Sequence, residues 1–240
     1  MGGRPSVSHS IPVIQTPTAG EPCRFDLRED GCFPYPPVEN QGNDVTCVAH
    51  AFAMALYCGL TQRYANQSRP IPFPNFEKIF ERAFSQSPDK NRGVAFEAIA
   101  QGVQDLYASY LSELGCVYSL LPNDAYVIRQ ALRRRSPVIV GYQVDEHIDS
   151  FHKNRSVCAA RGYMLPFYGP KSISISGHAV LILGYDFRVQ SFIARNSWGS
   201  LWGVQGHFLI PFGSVENTRA FTDIWALIPI NDPALRAPIN

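Results

Sequence analysis

Apolar positions recur at helical spacing through the first half of the chain and in short β-branched runs through the second. Between residues 47 and 58, Val48, Ala51, Phe52, Ala55 and Leu56 share one helical face, with Thr46 placed as N-cap and Gly59 as stop. Asn75 is positioned to cap a second helix whose Phe76, Ile79, Phe80, Ala83 and Phe84 form one apolar stripe. A third helical pattern runs over 95–114, and a fourth begins after Asp124 with Ala125, Val127, Ile128, Ala131 and Leu132. Past Pro137 the runs 138–140, 179–185, 191–195, 207–212 and 223–228 read as strands. Helices followed by strands predict an α+β fold of two lobes with a cleft between them, a helical lobe over about 40–120 and a β-rich lobe over about 121–230.

The segments before Cys47 carry a different texture. Residues 1–22 are rich in Pro, Ser, Thr and Gly without periodicity and read as an extended leader, so folding is expected to begin near Phe25. Gly31, Pro34, Pro36 and Pro37 then favour an irregular loop leading to Cys47.

Composition narrows the function classes. With 240 residues the chain can bury a sizeable core, and its net charge of +1 gives no general attraction to nucleic acid or acidic membranes. The basic run 133–135 ends a predicted helix, where cations suit the exposed carbonyls. No stretch reaches the length of a membrane span, and the first residues lack the apolar core of a secretory signal. The six cysteines show no paired Cys-x-x-Cys spacing, so no metal is expected. With one cysteine used as a nucleophile the other five cannot all pair, which favours a cytoplasmic, reducing compartment over secretion.

Cys47 follows a loop and opens a helix, where free backbone amides and the positive dipole end stabilise a thiolate. A nucleophilic cysteine needs a base, and His178 stands at the threshold of an apolar strand that would hold an imidazole rigidly at a lobe edge. His50 lies one helical turn beyond Cys47, on the same rod and without facing it, and reads as structural. Asn196 follows a strand and can accept from one imidazole nitrogen, leaving the other for the sulfur. Trp198 would shield that bond, and Gln41 offers a side-chain N–H that, with the Cys47 backbone N–H, can stabilise an oxyanion.

The blocks Pro37-Val38-Glu39-Asn40-Gln41-Gly42 with Cys47, Gly177-His178-Ala179-Val180, and Asn196-Ser197-Trp198-Gly199 with Trp202-Gly203 and Gly206 resemble the papain family of cysteine peptidases. Phe25-Asp26-Leu27-Arg28 resembles the start of mature enzymes of that family. The resemblance implies a papain-like two-lobed fold over residues 23–240. It also implies a catalytic set of Cys47 as nucleophile, His178 as acid and base, Asn196 as orienting residue and Gln41 as oxyanion donor. Peptide or protein substrates are implied, with no metal and no organic cofactor.

Three departures stand out. The aromatic residue that commonly follows the nucleophile is Val48, the cysteine three residues before it is Asp44, and the long helical proregion is missing. Asp44 removes a familiar disulfide and sets an acid near the thiolate. These features, with the loop, resemble the bacterial and protist-like branch of the family. Self-inhibition would then fall to residues 1–22, lying along the cleft as a short propeptide. For substrate binding, Gly93 is either a backbone-pairing edge or a helix-entry turn, and Trp202 either contacts the leaving-group side or packs in the core. The second-subsite pocket should draw on residues 222–226. Two rivals share the machinery: a catalytically silent binding protein and an acyl transferase working by transpeptidation.

Overall fold

The computed structural model describes residues 14–29, 35–64, 71–86 and 94–231. A short strand β1 (Arg24–Asp26) precedes three helices, α1 (Cys47–Tyr64), α2 (Phe76–Gln86) and α3 (Phe96–Leu114). Helix α1 does not stop at Gly59. A Cβ there would sit 3.0 Å from Leu227 Cδ2 and 3.3 Å from Leu114 Cδ1, so the glycine serves close packing inside the helix and not a left-handed exit. Thr46 also differs from expectation, because its Oγ1 is buried with no hydrogen-bond partner and caps nothing. Asn75 does cap α2, its Oδ1 accepting the Lys78 N–H at 2.8 Å.

The second half comprises β2 (Cys116–Leu120), α4 (Ala125–Arg133), β3 (Val138–Val144), α5 (Glu146–Lys153), α6 (Arg155–Ala160), β4 (Ser176–Asp186), β5 (Ser191–Arg195), β6 (His207–Pro211), α7 (Phe212–Val215) and β7 (Phe221–Pro229). All seven strands join one antiparallel sheet in the order β2-β7-β3-β4-β5-β6, with β1 on β4. Both faces of the sheet are covered. Val138, Val140, Tyr142, Val180 and Ile182 point into a core with Leu27, Ile128, Leu132, Phe151 and Phe208. The alternate residues Ile139, Leu181 and Leu183 point the other way, against Phe52, Leu56, Leu60, Ile79, Ile99 and Val103 of the three N-terminal helices. A strand buried on both faces cannot alternate with polar residues, which is why β4 reads as one continuous apolar run. The α+β class expected from the sequence is therefore the observed one.

The helices α5 and α6, inserted between β3 and β4, escaped the apolar pattern because both are short and α5 is mostly polar. Asp145 caps α5 through its Oδ1, which accepts the Ile148 N–H at 2.9 Å. Its second carboxylate oxygen accepts from Ser172 Oγ, tying the helix to the segment that leads into β4. In this way the chain leaves β3, builds a ledge at the cleft rim and returns to β4.

Order begins earlier than Phe25. Gln15 exchanges two hydrogen bonds with Gln190, N–H to Oε1 at 2.8 Å and carbonyl from Nε2 at 2.9 Å. Glu21 is buried against Arg129, with Nε to Oε1 at 2.7 Å, and Arg129 also reaches Gln15 Oε1 at 2.6 Å. Its guanidinium lies 4.9 Å from the Phe187 ring centre and 5.3 Å from that of Phe212. Residues 15–21 thus strap the sheet at α4 and the β4–β5 turn, and none of them lines the cleft. The expectation of a leader lying along the cleft does not hold for the described part of that segment, whose polar side chains have found buried partners elsewhere.

Burial pushes the Glu21 carboxyl up, but the Thr18 N–H and Arg129 outweigh it and leave the group below its ordinary value. A depressed carboxyl stabilises the fold above its unfolded pKa and loses that contribution as pH falls through the folded value. Glu21→Ala strips a buried guanidinium of its carboxylate, yet Gln15 and two rings remain, so we expect a loss of about 2 kcal/mol, below the ~3–5 kcal/mol of a fully broken pair. Urea unfolding at pH 6.5 should read that difference, and it should shrink as pH is lowered through about 4.

Candidate active site

Antiparallel pairing brings the chemistry together before any side chain is considered. Tyr142 on β3 stands directly opposite His178 on β4, and Leu181 of β4 stands opposite Arg195, the last residue of β5. Asn196 follows at once, and its Oδ1 meets His178 Nε2 at 2.8 Å. The same oxygen accepts the Ser197 N–H at 2.8 Å, and the Asn196 N–H is held by the Gly206 carbonyl at 2.9 Å. Gly206 has φ +80, and a Cβ there would lie 2.5 Å from Val38 Cγ2, so only glycine fits this support. Trp198 stacks on the His178 ring with centres 4.5 Å apart and planes at 23°, and it helps cover the bond from water. His178 and Asn196 are both buried.

Cys47 arrives from the other side, as the first residue of α1, and lines the same cleft of about 950 Å³ as His178, Gln41, Trp198 and Trp202. The backbone N–H groups of Ala179, Val48 and Cys47 itself reach its sulfur. His178 Nδ1 makes no hydrogen bond within the described chain and stays open to the cleft. Four of the sequence-predicted residues, Cys47, His178, Asn196 and Gln41, thus meet at one place.

Gln41 is positioned by a clamp between loops. Its N–H bonds the Ser197 carbonyl at 2.8 Å, Gly199 N–H bonds the Glu39 carbonyl at 2.8 Å, and Asn40 bridges Trp198. Ser197 Oγ donates to Gln41 Oε1, which turns the amide nitrogen the other way, toward the Asp44 carbonyl. One amide hydrogen is used there and the second remains for a ligand. Sequence reasoning missed Ser197; the only signal available was its place inside Asn196-Ser197-Trp198-Gly199. It also missed Arg195, whose buried guanidinium donates to the Pro36 and Pro37 carbonyls at 3.0 and 2.8 Å and fixes the proline loop.

His50 behaves as a structural residue. Its Nδ1 lies 2.9 Å from Glu39 Oε2 and its ring stacks on Phe76 at 3.7 Å. Trp202 lines the cleft and packs on Phe151, Trp198 and Phe208, while its indole N–H donates to the His152 carbonyl at 3.0 Å. Gly93 lies outside the described residues. Thr222, of the segment assigned to the second subsite, lines the cleft with Val94 and Phe96. Gly141 is beside them, and a Cβ there would come within 2.5 Å of Phe96 Cζ.

Burial dominates the electrostatics. It pushes the Cys47 thiol up against the pull of the three backbone N–H groups, and the exposed Asp44 is not among the groups that act on it. It lowers His178 to about 4 against the favourable bond to Asn196. Each shift disfavours the charged form of its own group. Cys23, Cys58, Cys116 and Cys158 are also free thiols, and among the described residues no cluster of three His, Cys, Asp or Glu could hold a metal. No helix among the described residues is long and apolar enough to cross a membrane.

Residues 106–222 match the family model for the papain family cysteine proteases. Over that stretch, just under half of its length, the chain resembles the papain family. An uncharacterised peptidase C1-like protein of Acanthamoeba polyphaga mimivirus is 26% identical over 88% of this chain and 76% of its own length. Pro-cathepsin H of Bos taurus is 25% identical over 82% of this chain, which spans 62% of that protein. The crystal structure of xylellain, a cysteine protease from Xylella fastidiosa, shares the fold with a TM-score of 0.70 at 21% identity, covering 90% of this chain and 91% of its own.

Three histidines sit in this papain-like fold below their ordinary pKa: His152 and His178 by burial, and His207, lowered to about 4, by burial with Arg28 nearby. The unfolded chain binds protons at these sites from about pH 6.5 downward while the folded chain does not. Stability should therefore fall steadily between about pH 6.5 and 4, measured as the thermal midpoint, and the fall should be shallower in His207→Gln. A flat midpoint over that window contradicts the burial of neutral imidazoles.

Proposed function

We propose that the protein hydrolyses peptide bonds through a thioester acyl-enzyme on Cys47. The observation that carries this reading is the His178–Asn196 hydrogen bond set beside a cysteine at a helix tip, with the second imidazole nitrogen open to the cleft that the cysteine lines. The sulfur attacks the carbonyl carbon as its proton passes to His178 Nδ1, forming the C–S bond. The oxyanion is received by the Cys47 backbone N–H and the free amide hydrogen of Gln41. His178 then gives its proton to the departing amine as the C–N bond breaks. Water, deprotonated by the same imidazole, hydrolyses the thioester and restores the thiol.

The reading is supported by the clamp that aims Gln41. An amide free to flip would offer its oxygen to the oxyanion half of the time, and Ser197 Oγ removes that choice. It is supported as well by the dryness of the site, since a hydrogen bond shielded by Trp198 is stronger than one in water.

Cys47→Ala should abolish turnover of internally quenched peptides while leaving the far-UV dichroism unchanged. The wild-type protein should take up one equivalent of a thiol-directed epoxide at neutral pH, and none after that substitution. A thiol inert to the reagent favours a silent binding protein. Transfer products formed in the presence of amine acceptors, in place of hydrolysis, favour an acyl transferase. Ser197→Ala releases one orienting hydrogen bond, about 1 kcal/mol, and should lower kcat about fivefold with KM little changed.

A further inference from the structure

We propose that His152 is a recognition residue for the departing half of the substrate, presenting a neutral Nδ1–H donor to a backbone carbonyl beyond the scissile bond. The proposal rests on the peptidase reading above. His178 must hand its proton to the departing amine, so that half of the substrate lies along the cleft wall on His178's side. This wall is built from Trp198, Trp202 and three residues of one face of α5: Asp149, His152 and Lys153. The rest of the lining, with Val94, Phe96, Gly141 and Thr222, is left for the acyl half.

The His152 ring is packed among aromatic neighbours. Its centre is 4.8 Å from Trp198 and 5.4 Å from His178, both in edge contacts, and its carbonyl is pinned by the Trp202 indole. Its Nε2 lies 3.0 Å from the Tyr142 hydroxyl. That hydroxyl is buried and has no other partner among the described residues. Were Nε2–H to donate to the phenol oxygen, the phenol's own hydrogen would be stranded in the core. The phenol therefore donates to Nε2, and the imidazole proton sits on Nδ1. Nδ1 has no partner within the described chain and is not sealed from the cleft. Burial and the neighbouring His178 keep the ring neutral, in agreement with this assignment.

A neutral donor facing the departing half suits a peptide carbonyl and not a charged group. Asp149 and Lys153 flank it but neutralise each other at 2.9 Å, so the wall offers direction without net charge. The protein is on this reading built for bonds inside a peptide, with at least one further peptide carbonyl past the cut.

The test compares two substrates with the same acyl half: an internally quenched peptide, and a coumarylamide that has no backbone carbonyl beyond the scissile bond. In His152→Leu the ratio of their kcat/KM values, peptide over coumarylamide, should fall roughly fivefold, the effect of one lost hydrogen bond. In His152→Asn, whose amide nitrogen takes the place of Nδ1, the ratio should recover to within about twofold of wild type. An unchanged ratio in His152→Leu overturns the proposal, as does an equal fall in both variants, because a packing defect moves them alike. Wild-type protein also bears on it. Its acyl-enzyme should prefer an amino-acid amide over an alkylamine of equal size as acceptor, and equal partition overturns the proposal even if a variant fails to fold. Wild-type protein that cleaves neither substrate sinks the peptidase reading itself, whereas wild-type turnover with an unmoved ratio sinks only the role of His152.

Discussion

The hydrogen bond between His178 and Asn196 is the contact on which the site depends. An imidazole at the start of a strand can turn about two bonds, and only a fixed partner on one nitrogen decides where the other points. That partner is itself fixed from two sides, by the Ser197 N–H at its oxygen and the Gly206 carbonyl at its backbone. Gly206 can make the second contact because its φ of +80 and the approach of Val38 exclude a side chain. Val38 belongs to the loop that leads to Gln41, so Gln41 and His178 are adjusted by the same packing. A change of one ångström in this loop would disturb both at once.

The dryness that stabilises this arrangement also opposes its chemistry. Burial raises the thiol and lowers the imidazole, so a lone thiolate or a lone imidazolium is disfavoured. Two unit charges about 4 Å apart attract by about 4 kcal/mol at an effective dielectric near 20, equivalent to about three pK units. On the proposed mechanism the attraction acts only when both charges are present, so proton transfer from sulfur to ring is favoured as one concerted event over two separate ionisations. Backbone N–H groups at the tip of α1 add to the anion's side of that balance without carrying a charge that would oppose the imidazolium.

Much of this was legible in the sequence, and what was not has a common cause. Cys47, His178, Asn196 and Gln41 each sit in a local context that states their chemistry: a helix tip, a strand threshold, a strand end and a loop. Asn75 was legible as a cap for the same reason, since a cap acts within three residues. Thr46 satisfied the same rule and does not cap, because its hydroxyl is enclosed by packing that no local pattern reports. Gly59 was taken for a stop since its neighbours across the interface, Leu114 and Leu227, are far away in the chain. Ser197, Arg195 and His152 were illegible on the same ground: their partners Gln41, Pro36, Pro37 and Tyr142 are set by sheet register and loop clamps. The strand-rich half also hid α5, whose apolar face amounts to Ile148 and Phe151 beside His152.

The N-terminal strap follows from the same sheet logic. Strand β4 pairs with β3 from Ser176 to Ile182 and then parts from it, and β1 takes over at Gly184, Tyr185 and Asp186. Without β1 the far end of the strand that carries His178 would present unpaired N–H and C=O groups, an edge that invites fraying or pairing with another chain. The preceding residues hold β1 in place through Glu21 on Arg129 and Gln15 on Gln190, while Arg24 lies beside Asp186 at 3.5 Å. Leu27, buried in the sheet core directly after β1, adds the apolar anchor. Residues 15–27 therefore complete the ladder of the strand that carries His178 from behind, which is a structural duty incompatible with lying in the cleft. Any regulation of the site by the N-terminus must act through that ladder or through the residues before Gln15, since displacing the strap would expose the β4 edge and the Arg129 charge together.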